Sequence, residues 1–166
     1  AAVYASQKTP RAPSDIVLEV SSAMALGDLP GGVPGACWVF TNAESVRLYR
    51  GNVFVAEFAP DRRGRFAALP HPPIEINDFV GSLLEKYEGM DHASALQVAA
   101  ILNELRRDAM EPSPLSRARM LSLRLGWNDV LRRYYKYIGG LGSPAAEYRF
   151  EAVWHGRAVR TVVREP

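Results

Sequence analysis

Strand-forming runs stand near both ends of this chain, and the long stretch between them has helical spacing. Such an arrangement implies one sheet system closed across the middle segment. Ala36–Phe40 (ACWVF) is an apolar run suited to a buried strand. Ser45–Tyr49 alternates, with Val46 and Leu48 on one face and Arg47 and Tyr49 on the other. Arg50-Gly51-Asn52 can supply the positive φ of a tight turn, and Val53–Phe58 is the return strand. At the far end, Tyr148–Trp154 and Arg157–Val163 flank the turn dipeptide His155-Gly156. Ile16–Val20 reads as a further strand, and Gly27–Gly35, rich in Gly and Pro, as a loop.

The middle segment carries helix punctuation. Leu69–Pro73 (LPHPP) cannot lie inside a helix and marks the boundary. Asn77 or Asp78 can cap a helix bearing Phe79, Val80, Leu83, Leu84 and Tyr87, which Gly89 ends. Asp91 caps the next, with Leu96, Ala99, Leu102 and Leu105 as its stripe. Ser113-Pro114 opens a third and Gly126 stops it. Asn128-Asp129 opens a fourth, carrying Val130, Leu131, Tyr134, Tyr135 and Ile138. Residues 74–111 hold eight acids and three bases, and residues 112–138 one acid and six bases. Their net charges of −5 and +5 predict helices that pack against each other.

Composition excludes several classes. At 48% hydrophobic with a net charge of +2, the 166 residues do not describe a disordered chain. The lone Cys37 excludes a disulfide framework and a multi-cysteine zinc site, and fits a reducing, cytoplasmic compartment. No apolar run reaches a membrane span, and the near-neutral charge gives no reason to expect nucleic acid. Of the 20 basic residues 17 are Arg, which favours salt-bridged faces.

Motifs for chemistry are sparse. There is no Walker loop, no GxGxxG, no HExxH and no GxSxG, and His71, His92 and His155 lack partners at ligand spacing. We therefore expect no metal and no cofactor. Cys37, inside an apolar run, reads as inert. Asp28 and Glu44 read as loop acids explained by turn and cap chemistry. Asp61–Arg65 (DRRGR) reads as a hairpin turn or interdomain salt-bridge site rather than a phosphate site. Trp38 and Trp154 read as core, leaving Trp127 as the best exposed aromatic. The candidate carbohydrate or interdomain contacts are thus Trp127, Asp28, Arg62, Arg63 and Arg65.

The run from Ala36 to Asn52 resembles the signature strand pair of the immunoglobulin-like domain that follows the catalytic barrel in glycoside hydrolase family 2. Thr41-Asn42, Val46, Leu48 and Gly51 match that pattern, while Asn52 follows the glycine instead of preceding it. Ala2–Gln7 resembles the end of the last barrel helix of that family. Leu69–Phe79 and Tyr135–Ile138 resemble a helical insertion of one bacterial branch. The resemblance implies a parent enzyme that hydrolyses β-glycosides with two barrel glutamates, and no residue of this chain matches either.

The expected fold is α+β. Residues 1–12 are the tail of a preceding barrel or a linker. Residues 13–70 and 143–166 are an immunoglobulin-like antiparallel β-sandwich, and 71–142 are a helical insertion. A chain that starts at Ala1 without Met, lacking the active site, is expected to begin partway through an enzyme. The expected role is a non-catalytic accessory region whose partner is the catalytic barrel of its own parent chain. A carbohydrate-binding module and a protein-interaction or oligomerisation domain are the alternatives.

Overall fold

A computed structural model describes residues 2–21, 36–139 and 147–164. Gly27–Gly35, and Asp28 within it, lie outside the described residues. The class is α+β with antiparallel sheets. Two sheets form among the described residues. The first is three-stranded, with order β1-β2-β5, from β1 (Leu18–Val20), β2 (Cys37–Thr41) and β5 (Ile74–Ile76). The second has order β4-β3-β6-β7, from β3 (Ser45–Arg50), β4 (Val53–Phe58), β6 (Tyr148–Trp154) and β7 (Arg157–Arg164).

Period-two patterning explains which faces are inward. Cys37, Val39, Val46, Leu48, Ile74, Ile76, Phe150 and Ala152 are buried and belong to one hydrophobic cluster fed by both sheets. Trp38, Arg47, Glu75, Arg149 and Glu151 point the other way. Both hairpins turn where expected, with Gly51 at φ +57° and His155-Gly156 at +49° and +73°. Arg160 and Arg164 on β7 donate to the Ile16 and Val20 carbonyls, so β7 is stitched to β1 across the two sheets.

Three expectations need correction. Residues 74–76, in the stretch read as helical, are a strand paired with β2, because Ile-Glu-Ile alternates and the prolines before it favour extended backbone. Asp61–Arg65 turns no hairpin; it lies in the connection between β4 and β5, which belong to different sheets. Gly126 caps the start of a helix instead of stopping one.

Short α1 (Ala2–Ala5) opens the chain. Among the described residues four helices follow β5: α2 (Leu83–Glu88), α3 (His92–Arg107), α4 (Pro114–Ser122) and α5 (Trp127–Tyr137). Three caps are those read from sequence, while α5 starts at Trp127 behind Gly126, ahead of Asn128-Asp129. Asp91 accepts from the Ser94 N–H, Ser113 from Ser116, and Gly89 closes α2 at φ +61°. Asp78 instead caps a turn, accepting from the Val80 and Gly81 amides before α2 begins. Ala95, Val98, Ile101, Leu102 and Leu105 of α3, with Val130, Tyr134 and Tyr137 of α5, join the same cluster as the sheets. No described helix is long and apolar enough to cross a membrane.

Candidate functional site

The register of β2 against β5 sets Trp38 opposite Glu75 on the outer face of the three-stranded sheet. The loop that connects β4 to β5 folds over that face. Asp61 Oδ1 accepts from the Arg63 amide, which tightens the loop. A Cβ on Gly64 would run into the Asp61 carboxylate, so only glycine leaves that carboxylate its place. Phe66 then meets Trp38 edge to face, with ring centroids 5.7 Å apart and planes at 89°. The Arg65 guanidinium sits 5.4 Å from the centre of the Phe66 ring.

Together Trp38, Asp61, Gly64, Arg65, Phe66, Pro73 and Glu75 line a cavity of about 350 Å³. Among the described residues, Asp61, Arg65 and Glu75 enter no ion pair. The cleft therefore offers an aromatic corner and ionised groups of both signs that are not spent on one another.

A second cavity, about 410 Å³, runs between β5 and α3 and shares Glu75 with the first. Arg106 is its unusual lining residue, only 5% exposed. Its guanidinium lies 3.6 Å from the centre of the Phe79 ring, and its Nη2 has no hydrogen-bond partner among the described residues. Burial pushes its pKa down, against the Cys37, Tyr148 and Tyr134 side chains facing it. Most other polar groups of this cavity hold structure. Asn103 donates to Asp78 and accepts from the Phe79 amide, while Glu104 accepts from Ser113 and Ser116. Asp108 next to the cavity binds Arg107 through both oxygens.

The residues singled out from sequence are dispersed. Arg65 lines the first cavity, Arg62 reaches the Pro70 carbonyl, and Arg63 is exposed. Trp127 is 40% exposed at the start of α5 and lines neither cavity. Trp38 is half-buried instead of core, because it stands on the outward side of its strand; Trp154, also half-buried, packs against the hydrophobic cluster and on His155. Trp38, Phe66 and Glu75 come together only in the folded chain. Their one signal was alternation, which sets Trp38 and Glu75 opposite in phase to their buried neighbours. Arg106 was missed, although Ala99 and Leu102 put it in phase with the buried face of α3.

Cys37 is buried, and burial pushes its thiol up to about 11, which leaves it un-ionised at neutral pH. Among the described residues no three His, Cys, Asp or Glu side chains are grouped to hold a metal ion. No protein-family model matches the chain, and no curated protein matches it.

The first residues are locked to the sheets. Asn42 is buried; its Oδ1 accepts from the Val17 amide at 2.8 Å, and its Nδ2 donates to the Lys8 and Asp15 carbonyls at 3.0 and 3.1 Å. Thr41 Oγ1 donates to the Val17 carbonyl. Gln7 and the His71 backbone bond reciprocally, Nε2 to carbonyl at 2.7 Å and amide to Oε1 at 3.1 Å. These contacts hold residues 7–17 against the β2–β3 turn and the Pro-rich boundary loop.

Proposed function

We propose that this chain is the non-catalytic accessory region that follows the catalytic barrel in a bacterial family 2 glycoside hydrolase. In this reading the two sheets are an immunoglobulin-like sandwich with α2–α5 inserted between β5 and β6. The strand order supports it: β1, β2 and β5 form one sheet and β4, β3, β6 and β7 the other. The observation that carries it is the Thr41-Asn42 lock. The dipeptide that marks the family resemblance is the one that clamps the entering chain.

A clamped entry transmits orientation, which is what a buttress requires. The α1 turn presents Val3 and Tyr4 outward, 54% and 76% exposed, while Ser6 is fully buried. Leu96, Leu115 and Leu121 are exposed on α3 and α4 and supply apolar contact points on the helical side. The barrel of the same parent chain is the partner this reading assigns to both surfaces.

The test is the reading frame upstream of Ala1. It is expected to encode a parallel β/α barrel carrying two glutamates, and any other fold there overturns the proposal. Independently, the purified chain is expected to release no chromophore from nitrophenyl β-glycosides. Purification-stable turnover abolished by Glu75→Gln or Asp61→Asn would overturn its non-catalytic character.

A further inference from the structure

We propose that the Trp38–Phe66 cleft binds a neutral saccharide. The inference rests on the lining of this cavity and stands or falls separately from the accessory role. Three observations converge. The first is shape: about 350 Å³ of concave space, within the usual range of small-ligand sites. Two aromatic rings meet there at a right angle, giving an apolar corner on a strand that cannot shift without breaking the β2–β5 register.

The second observation is charge. Asp61 and Glu75 are acceptors, Arg65 is a donor, and none is in an ion pair among the described residues. An anionic ligand would be opposed by the two carboxylates, and a cationic one, drawn to them, would leave the Arg65 donors without an acceptor. Hydroxyls both donate and accept, so a neutral polyol uses both signs at once. Charged partners make the stronger kind of hydrogen bond to such hydroxyls. A pyranose adds an axial C–H face that can lie on an aromatic ring, which a small linear polyol does not present.

The third observation is the construction of the loop. Asp61 Oδ1 is held by the Arg63 amide, and its Oδ2 occupies the space that a Cβ on Gly64 would take. The carboxylate is thereby set at the cavity wall before any ligand arrives, which lowers the ordering cost of binding.

The experiment is ligand-observed saturation-transfer NMR, with tryptophan fluorescence titration, on the whole chain. Cellobiose, lactose and maltose are the neutral probes; glucuronate and glucosamine are the anionic and cationic ones. At least one neutral disaccharide is expected to bind saturably in the millimolar range, and more tightly than either charged sugar. Glu75→Gln and Arg65→Gln are each expected to weaken it about tenfold with the melting temperature unchanged. Trp38→Phe, which keeps a ring in a half-buried position, is expected to weaken it less than Trp38→Ala. Trp127→Ala is expected to leave binding unaltered. Absence of saturable binding by all three disaccharides overturns the proposal. So does tighter binding of a charged sugar, indifference to both Glu75→Gln and Arg65→Gln, or loss of binding in Trp127→Ala.

Discussion

Asn42 carries three hydrogen bonds that only an amide side chain can make. One backbone N–H and two backbone carbonyls face it, so its oxygen and nitrogen cannot exchange places. Asn42→Ala would leave the Val17 amide and the Lys8 and Asp15 carbonyls without their side-chain partner. It is expected to lower stability by about 2–3 kcal/mol in urea unfolding. Asn42→Asp is expected to be worse, because a carboxylate would face two carbonyl oxygens that need a donor. Limited proteolysis should then cut between Lys8 and Asp15 in both variants and not in the parent. Unchanged stability together with unchanged cleavage would remove the lock from the account. At this scale the sequence was only half legible. Thr41-Asn42 stands out as a polar break after an apolar strand, but nothing near it in sequence says that its partners are Lys8 in the leader, Asp15 beyond it and Val17 in the first strand-forming run.

Glu88 does for the helices what Asn42 does for the leader. It ends α2 and receives Arg133 Nε at 2.8 Å and the Tyr137 hydroxyl at 2.9 Å, with Lys136 at 4.0 Å. Acidic α2 is thereby bound to basic α5, the pairing that the −5 and +5 halves predict. Burial pushes the Glu88 carboxyl up, but the hydrogen bonds from Tyr137 and Arg133 and the two cations together hold it below its ordinary 4.5. A carboxyl depressed on folding contributes stability above its unfolded value, and the contribution fades as pH falls through the folded value. Glu88→Gln, which leaves Arg133 uncompensated, is therefore expected to cost about 1–2 kcal/mol at neutral pH. The gap from the parent should hold down to about pH 4.5 and close below it, read from urea melts across pH. A gap that stays constant into strong acid would mean that the charge of Glu88 is irrelevant. Helix ends were legible because caps are local chemistry. Faces were less so: Leu96, Tyr87 and Tyr135 are exposed, since α2 is short and the apolar stripe of α3 is centred on Ala95, Val98 and Leu102.

Across the molecule, the least legible features are those made by long-range pairing. Strand β5 is three residues long, and nothing near it in sequence says that it will lie beside β2. The aromatic cleft depends on that pairing, because it alone brings Glu75 to Trp38. The same pairing decides how the helices relate to the sheets. Phe79, Val80, Leu83, Leu84 and the inner face of α3 belong to one cluster with Cys37, Val39, Val46 and Phe150. The join to β4 is tight. Gly81 sits at φ +45°, where a Cβ would strike the Val55 backbone carbonyl, and the Ser82 amide and hydroxyl bond the Val55 and Phe54 carbonyls. One buried cluster shared by sheets and helices among the described residues predicts a single cooperative transition. In a Trp127→Phe background, fluorescence reports Trp38 and Trp154 on the sheets, and far-ultraviolet circular dichroism near 222 nm follows mainly the helices. The two urea curves are expected to coincide. Gly81→Ala, strained in backbone and in contact, is expected to shift both together by roughly 2 kcal/mol or more. Helical signal lost at lower urea than fluorescence, or a Gly81→Ala shift confined to one probe, would divide the chain into two folding units joined at Asn77–Ser82.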